Sequence, residues 1–324
     1  MKPKKSDHGR RRGGNSAPNL LTDSFATLQK LAQKVVAGLE GTGTTGEEHA
    51  TQQGVLNVAP QGSRPATVRD GSRPIYSHSR LEAFESCALK YKFRYIDKIE
   101  KKEQGVEAFV GSRVHETLRK LHDDLRARHT VTLQELLDFY RAQWNKNWGP
   151  QVKIVRRGES AKSYFQYGGQ CIRTYYERIH PRDRAETLET ERKLDFSLDP
   201  GGGYPMQGYV DRIARRADGT FEVHDYKTGR RVPTQRQADS DRQLGLYHIG
   251  VQAMWPDTQR VELVWHFLGA GATLRSRRTV EQLVQLRADT RALIDHIERQ
   301  IEFPARKSAL CDWCEFRPEC PAWR

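Results

Sequence analysis

Residues 208–229, which read GYVDRIARRADGTFEVHDYKTG, limit the fold of this chain more than any other stretch. Two runs rich in strand-forming residues flank a turn signal, ADGT, at 217–220, and this pattern predicts a β-hairpin. In a strand, residues i and i+2 point to the same face, so Asp225 and Lys227 are expected to project together. The hairpin can bring Asp211 of the first strand beside them.

These three side chains have the chemistry of a metal site. Two carboxylates that converge on one point repel each other unless a cation lies between them. Hard divalent ions such as Mg²⁺ or Mn²⁺ prefer oxygen ligands of this kind. A neighbouring ammonium could position a water molecule or stabilise negative charge in a transition state. The alternative is an exposed hairpin in which Asp225 and Lys227 form an ordinary surface pair, and periodicity alone leaves both interpretations open.

Hydrophobic periodicity predicts helices before and after this hairpin, and further strands beside it. The expected helices are 79–95 (with Ser79 as N-cap), a segment after Gly111, 132–148, 160–180, 238–254 and 278–300. The expected strands are 186–198, 206–215, 220–227 and 260–268. This order predicts an α/β fold, in which a mixed central β-sheet is flanked by helices.

Residues 1–74 differ in composition from the rest of the chain, because they are rich in Gly, Ser, Thr and Gln. Such a segment buries too little apolar surface to offset its ordering entropy, so we expect a mostly disordered basic arm. Within it, apolar residues at helical spacing predict one amphipathic helix at about 20–39, which docks on the body or on a partner. The folded domain is expected over 75–324.

The charge balance points to a polyanionic partner. The chain has 324 residues and carries 54 Lys and Arg against 41 Asp and Glu, a formal charge of +13. Nucleic acid is the commonest intracellular polyanion, although charge alone also fits a solvated basic surface. No apolar run approaches the roughly 20 residues of a transmembrane helix, and no apolar run of a secretory signal follows the basic start. We therefore expect a soluble, cytoplasmic protein that has no membrane partner.

Basic residues alternate with aromatic ones in the first predicted helix. The basic residues are Arg80, Lys90, Lys92 and Arg94. Stacking of bases on aromatic rings, together with phosphate contacts, is the way proteins bind single-stranded DNA. The alternative is an amphipathic helix that buries its aromatic residues and exposes its basic ones.

The C-terminus holds three cysteines, Cys311, Cys314 and Cys320, in the spacing C-x2-C-x5-C. Their number and closeness favour metal or cluster ligation over a disulfide framework. A four-cysteine site needs one more sulfur, from Cys87 or from Cys171, and Cys171 is surrounded by apolar residues typical of a helix core. Such a site could hold zinc or an iron–sulfur cluster.

Four motifs occur in a fixed order along the chain. They are GSRVH at 111–115, Asp211, DYK at 225–227 and QLGLY at 243–247. This ordered set resembles the RecB-like exonuclease branch of the PD-(D/E)XK nuclease superfamily, to which the Cas4 nucleases belong. The resemblance covers about 75–324 and implies a restriction-endonuclease-like core, with N-terminal helices and a C-terminal cysteine segment.

The resemblance implies a role for each matching residue. His115, Asp211, Asp225 and the backbone carbonyl of Tyr226 would ligate a divalent metal, Mg²⁺ or Mn²⁺. Lys227 would orient the nucleophilic water. Gln243 and Tyr247, one helical turn apart, would support the site or touch DNA. Separately from the resemblance, Glu191, at the start of the predicted strand before Asp211, is a further candidate acid.

The same nucleases commonly hold a [4Fe–4S] cluster with one N-terminal and three C-terminal cysteines. Cys87 with Cys311, Cys314 and Cys320 matches this arrangement in order and position. The chain departs from the pattern at Ala88, where many relatives have proline. Zn²⁺ at the four-cysteine site is the alternative.

Together these features predict a metal-dependent DNA exonuclease that acts on single strands or DNA ends. Its setting would be recombination and repair, phage DNA metabolism or CRISPR adaptation. The sequence contains no P-loop of the form GxxxxGK[ST], so a helicase or another recombination or adaptation protein is an expected partner. Two rival interpretations are a non-cleaving DNA-binding or assembly subunit and a zinc-stabilised endonuclease.

Overall fold

The computed structural model describes residues 73–324. Most of the basic arm expected over 1–74, including the amphipathic helix expected at 20–39, lies outside the described residues. Within 73–324, no helix combines the length and the apolar character that are needed to cross a lipid bilayer.

Two sheets are present in the described part of the chain. The strands are β1 (Gln104–Gly105), β2 (Val152–Lys153), β3 (Glu186–Ser197), β4 (Pro205–Arg215), β5 (Phe221–Lys227), β6 (Val261–Phe267) and β7 (Ala272–Ser276). Strands β1 and β2 form a short parallel pair, and β3 to β7 lie side by side in chain order. Strands β5 and β6 are parallel, whereas the other neighbours in the large sheet are antiparallel. The expected mixed sheet is therefore confirmed.

Helices cover both faces of the large sheet. They are α1 (His78–Ser86), α2 (Ala88–Tyr91), α3 (Val106–Arg126), α4 (Leu133–Asn147), α5 (Ala161–Thr174), α6 (Gln235–Asp239), α7 (Arg242–Met254) and α8 (Val280–Arg299). Single π-helical turns, Lys92–Ile96 and Tyr175–Ile179, continue α2 and α5. Short 3-10 turns make up the cysteine-rich C-terminus.

The alternation of side chains along the strands sorts the core into layers. On one face of the sheet, Tyr226 of β5 packs with Val114 and Leu118 of α3, and with residues of α4 and α5. On the other face, Val223 of β5 packs with residues of α7 such as Leu244. A third cluster joins α1 and α8 to α7. Residues of opposite parity on β5 therefore face different helical layers, as the strand period of two requires.

The first predicted helix differs from the structure at both ends and in its middle. Its N-cap is Ser77 and not Ser79, because the Ser77 hydroxyl accepts a hydrogen bond from the backbone N–H of Arg80 at 3.2 Å. The helix also stops at Cys87, which has an extended backbone with φ −165° and separates α1 from α2. The expected single helix over 79–95 is thus wrong, since one extended residue divides it.

Other bounds shift by a few residues. The helix expected after Gly111 begins earlier, at Val106, so Gly111 lies inside α3. The helix expected over 238–254 is divided in two, because Asp241 caps α7 by accepting from the backbone N–H of Leu244 at 2.9 Å. Strand β7 was not predicted at all. It is only five residues long and pairs along the edge of β6.

Candidate active site

The register of the β4–β5 hairpin brings the two aspartates together. Arg212 pairs with His224, and one further step in the same register places Asp211 opposite Asp225. The Asp211 carboxylate accepts a hydrogen bond from the backbone N–H of Tyr226, with a distance of 2.7 Å from N to Oδ2. The carboxylate of β4 therefore lies at the end of β5, where the hairpin pattern predicts it.

Asp225 and Lys227 project from β5 to the same side. The Lys227 Nζ lies 2.8 Å from Asp225 Oδ2. Burial raises the pKa of Asp225, Lys227 opposes the rise, and the carboxyl retains a pKa of about 6. For Lys227, burial lowers the pKa, but the carboxylates of Asp225 and Asp211 raise it above its ordinary value. The lysine therefore stays a cation, and Asp225 is a buried acid and not an exposed surface residue.

His115 of α3 completes one side of the site. Its Nε2 lies 2.8 Å from the carbonyl oxygen of Tyr226, and its Nδ1 lies 3.2 Å from Asp211 Oδ1. Burial lowers the pKa of the imidazole, but the charge and hydrogen bond of Asp211 outweigh that effect and raise it to about 9. Helix α3 therefore places the His115 imidazole against the Asp211 carboxylate and the Tyr226 carbonyl, both of which the sequence predicts as metal ligands.

Glu191 of β3 joins this group. Ligand atoms of His115, Glu191 and Asp211 all lie within 4.8 Å of one another. Burial raises the pKa of Glu191, and the Asp211 carboxylate raises it further. Because like charges approach each other here, the group has the electrostatics of a cation site.

The helix α7 supports the lysine from the other side. Lys227 Nζ donates to Gln243 Oε1 at 2.9 Å, and Gln243 Nε2 donates to the Tyr247 hydroxyl at 3.1 Å. Tyr247 packs directly on the backbone of Gly208, where an added Cβ would lie 2.5 Å from the ring. The residues predicted to be catalytic therefore lie together at the β4–β5 hairpin and the start of α7: Asp211, Asp225, Lys227, Gln243 and Tyr247. Gly208 was missed, although a glycine inside a strand is a known signal of close approach.

The donor set fits a hard divalent cation. It offers carboxylate oxygens from Asp211, Asp225 and Glu191, one backbone carbonyl and one imidazole nitrogen, and such ligands suit Mg²⁺ or Mn²⁺. Asp225 is only 4% exposed, and its Oδ2 pairs with Lys227 Nζ at 2.8 Å, so the lysine balances this buried carboxylate. The ligand atoms that lie within 4.8 Å of one another belong to His115, Glu191 and Asp211, and Asp225 is not in that group.

Four of the five cysteines line one cavity of about 70 Å³, which is distant in sequence from the carboxylates. They are Cys87, Cys311, Cys314 and Cys320. Backbone N–H groups of Arg306 and Ser308 donate to Cys87 Sγ at 3.4 Å and Cys311 Sγ at 3.3 Å. The Ser308 N–H also lowers the pKa of the Cys311 thiol, which favours the thiolate. The fifth cysteine, Cys171, is buried in the core of α5, as expected.

The four basic residues nominated for DNA binding have partners within the fold. Arg80 donates to the Tyr91 hydroxyl, and Lys92 donates to Asp97 at 2.6 Å. Lys90 lies 3.4 Å from Glu315, and Arg94 donates to the same carboxylate. The two pairs with Glu315 attach the first helices to the cysteine segment. Contact of these residues with DNA stays a prediction.

Comparison with known proteins places this fold and site in a family. The family model of the PD-(D/E)XK nuclease superfamily matches residues 75–321, which is most of the chain. The protein belongs to the PD-(D/E)XK nuclease superfamily. Its mixed sheet flanked by helices is consistent with the restriction-endonuclease-like fold that the sequence predicts, and the family implies DNA as the substrate.

Two relatives illustrate the range of similarity. The chain is 24% identical over 200 residues to the "Gene 69 protein" of Mycobacterium phage D29, which covers 55% of this chain and 69% of the phage protein. It also resembles the crystal structure of a "Putative exonuclease" from Eubacterium rectale, with a TM-score of 0.45 and 11% identity. That match covers 74% of this chain and 86% of the other.

Proposed function

We propose that this nuclease is a divalent-metal-dependent DNA exonuclease of the RecB-like and Cas4-like branch. One observation carries the proposal, namely that Asp211, Asp225 and Lys227 meet beside His115 and the carbonyl of Tyr226. The matching motifs occur in the branch's order along the chain, and the QLGLY helix supplies the contact to the lysine. The setting would be recombination and repair, phage DNA metabolism or CRISPR adaptation.

In this proposal, His115, Asp211, Asp225 and the Tyr226 carbonyl hold Mg²⁺ or Mn²⁺. A cation bound there would activate water and stabilise negative charge on the leaving oxygen. Lys227, which is held between Asp225 and Gln243, orients the attacking water and offsets the charge that develops on the phosphoryl oxygens. Tyr247 fixes the orientation of the Gln243 amide, so that its oxygen faces the lysine.

We further propose that Cys87, Cys311, Cys314 and Cys320 bind a [4Fe–4S] cluster. The four thiols line one cavity, and one N-terminal with three C-terminal cysteines is the arrangement that the RecB-like branch commonly has around such a cluster. Zn²⁺ at the same four cysteines is the alternative. Anaerobic purification followed by absorbance, iron, sulfide and zinc determination distinguishes the two.

The proposal also covers the domain organisation and the partners. Residues 75–324 would form the nuclease domain, and 1–74 a basic arm that adds sequence-independent affinity for DNA. The substrate would be single-stranded DNA or DNA ends. A helicase or another recombination or adaptation protein would supply unwinding.

Digestion of end-labelled linear DNA and of circular single strands, with Mg²⁺, Mn²⁺ or EDTA, tests the proposed activity. We expect linear DNA to be degraded from its ends with either metal, and circles to resist. Lys227→Ala should cut at least about 100-fold more slowly, because removing one preorganised charge donor costs about that much. Digestion in EDTA, or equal digestion by Lys227→Ala, would contradict the proposal, and rapid cutting of circles would replace it by an endonuclease.

A further inference from the structure

A polar cavity of about 590 Å³ is built from other residues than the candidate active site and the cysteine cavity. Its walls are the π-helical turn that continues α5, the 3-10 turn His180–Arg182 and the β6–β7 hairpin. None of its lining residues belongs to α3, β4, β5 or α7, which hold the proposed metal ligands and the support of Lys227. Its volume lies in the range of about 300–1,000 Å³ that small-molecule sites have, so the cavity can hold a ligand of its own.

Three arginines line this cavity, and their guanidinium groups have donors to spare. Arg178 and Arg182 make neither a hydrogen bond nor an ion pair within 73–324. Arg275 donates to Glu222 and Glu262 through Nη1 alone, at 2.6 Å in both cases, so its Nε and Nη2 have no partner in the described fold. Because a guanidinium carries N–H donors in a fixed geometry and no acceptor, these groups favour an anion.

Among the described residues that line the cavity, Asp183 is the one acid, and both of its oxygens have partners already. Its Oδ2 accepts a hydrogen bond from Arg212, and its Oδ1 accepts one from the backbone N–H of Ala185 at 3.0 Å. The carboxylate therefore does not need Arg178 or Arg182 to balance its charge. The cavity presents positive charge to a ligand.

The floor of the cavity is a buried histidine that is held by hydrogen bonds. His266 is 2% exposed, and its Nε2 lies 2.9 Å from His224 Nδ1 and its Nδ1 3.2 Å from Thr273 Oγ1. Gly271, with φ 64°, turns the hairpin so closely against α5 that an added Cβ would lie 3.7 Å from Arg178 Nη1. The Arg178 guanidinium therefore lies beside the backbone of the hairpin, at the wall of the cavity.

We propose that this cavity binds a nucleoside monophosphate, whose phosphate group lies among Arg178, Arg182 and Arg275. Guanidinium groups suit the oxygens of a phosphate ester, because the two can form paired, charge-assisted hydrogen bonds. A phosphate group alone fills only a small part of this volume, so the ligand has an organic part, which Ile179 can contact. An exonuclease releases nucleoside monophosphates, so the choice of this organic phosphate rests on the proposed function, whereas the anion site itself does not.

Calorimetric titration of the full chain with thymidine monophosphate, in EDTA, tests the proposal without the divalent cation. Arg178→Gln removes one charged donor, so we expect the monophosphate to bind about tenfold more weakly or worse. Arg182→Gln makes the same change on a separate turn and should also weaken binding, so the test does not depend on the folding of one variant. Thymidine, which has no phosphate, should not bind.

Arg173→Gln is the matched control. It makes the same change on α5 at a side chain that is 44% exposed and does not line the cavity. Its affinity for the monophosphate should equal that of the unchanged protein. The monophosphate should also raise the melting temperature of the unchanged protein and of Arg173→Gln, and raise that of Arg178→Gln less, because tighter binding stabilises the fold more.

Three results would overturn the proposal. The first is that the monophosphate does not bind to the unchanged protein, and the second is that it binds equally well to Arg178→Gln and Arg182→Gln. The third is that Lys227→Ala loses the binding while Arg178→Gln keeps it, which would place the monophosphate in the candidate active site. If the monophosphate does not bind but Arg178→Gln loses affinity for a single-stranded oligonucleotide, the arginines belong to a DNA-binding surface instead.

Failure of this inference and failure of the proposed function give different results. If DNA is degraded from its ends but none of the arginine variants changes monophosphate binding, the cavity is not the binding site and the proposed function stands. If monophosphate binding requires Arg178 but DNA is not cleaved, the anion site stands and the proposed function is wrong.

Discussion

The Lys227 ammonium is held by contacts to two different elements, β5 and α7. Its Nζ lies 2.8 Å from Asp225 on its own strand and 2.9 Å from Gln243 on α7. Two acceptors on different elements fix the ammonium better than one ion pair would, because a long flexible side chain otherwise samples many rotamers. In the proposed reaction, the geometry of Lys227 therefore depends on α7 as much as on β5.

We expect Tyr247→Phe to slow DNA cleavage about tenfold while DNA affinity stays unchanged. The variant removes the hydroxyl that accepts from Gln243 Nε2, so the amide that faces Lys227 loses its fixed orientation. General positioning effects of this kind are of the order of tenfold or more. Single-turnover rates and binding in EDTA measure the two quantities.

Tyr209→Phe is the matched control, because Tyr209 is 54% exposed on β4. Its cleavage rate should equal that of the unchanged protein. If Tyr247→Phe also cuts at the full rate, the hydroxyl does not position the lysine.

For single residues, the sequence predicts which face of the sheet a side chain takes where the strand is regular. It does not predict where the backbone departs from the extended conformation. Asp225 and Lys227 share a face because they are two residues apart on β5, as predicted. Glu191 could be nominated only as a further acid, since nothing in the residue types indicates its left-handed backbone. Ser77 and Ser79 are equally good capping residues by type, and the structure places the cap at Ser77.

At the scale of elements, a network of charges joins four neighbouring strands of the large sheet, β4 to β7. The Glu222 carboxylate of β5 accepts hydrogen bonds at 2.6 Å from both Arg216, at the end of β4, and Arg275 of β7. The Glu262 carboxylate of β6 accepts from the same two arginines. Because Glu222 is nearly fully buried, removing its charge leaves Glu262 alone to balance both Arg216 and Arg275.

We expect Glu222→Gln to lower the free energy of unfolding by about 3 kcal/mol, as for other broken buried ion pairs. Urea denaturation measures the change. Glu103→Gln, whose pair with Lys153 has side chains 51% and 61% exposed, should change it by less than about 0.5 kcal/mol. An equal loss of unfolding free energy in Glu222→Gln and Glu103→Gln would show that the burial of Glu222 does not determine how much its ion pairs stabilise the fold.

The same network predicts a pH dependence. Burial raises the pKa of Glu222, but His224 and Arg275 lower it well below its ordinary value. A lowered folded-state pKa stabilises the fold fully above the ordinary carboxyl pKa of about 4.3, and the contribution is lost as the pH falls towards the lowered value. The stability difference between the unchanged protein and Glu222→Gln should therefore be smaller at pH 3.5 than at pH 7, and a larger difference would contradict this account.

Long elements with a clear apolar period were predictable, and short elements without one were not. The strands β3 to β6 and most helices follow clear apolar periods, so they were predicted with bounds correct to within a few residues. Strand β7 was missed because its five residues, ATLRS, contain little apolar pattern and its pairing with β6 is decided by the rest of the sheet. The break at Cys87 was missed because the flanking residues all favour helix.

At the scale of the whole molecule, the cysteine segment attaches the end of the chain to the first helices. Lys101 donates to Glu319 at 2.5 Å, and Lys90 and Arg94 both pair with Glu315. Arg306 also donates to the backbone carbonyl of Glu85, whose side chain pairs with Arg242, next to Gln243. The cysteine cavity is thus connected through α1 to the helix that supports Lys227.

For the proposed [4Fe–4S] cluster, we expect Cys87→Ala to lack iron and sulfide and to melt at a lower temperature, because a ligand that closes a long loop is removed. Cys171→Ala is the control. It creates a small cavity in the α5 core but should keep the full iron content, since Cys171 lies outside the cysteine cavity. Full iron and sulfide in Cys87→Ala would exclude it as a ligand.

The most direct test of the account compares Asp225→Asn with the unchanged protein for DNA cleavage and for DNA binding. Asn keeps the shape of the buried side chain that contacts Lys227 but removes the charge that a divalent cation requires. We expect release of nucleotides in Mn²⁺ to fall by at least about 1,000-fold, while affinity for a single-stranded oligonucleotide in EDTA is retained. Cleavage by Asp225→Asn at the unchanged rate would show that the acids on β4 and β5 are not the catalytic centre.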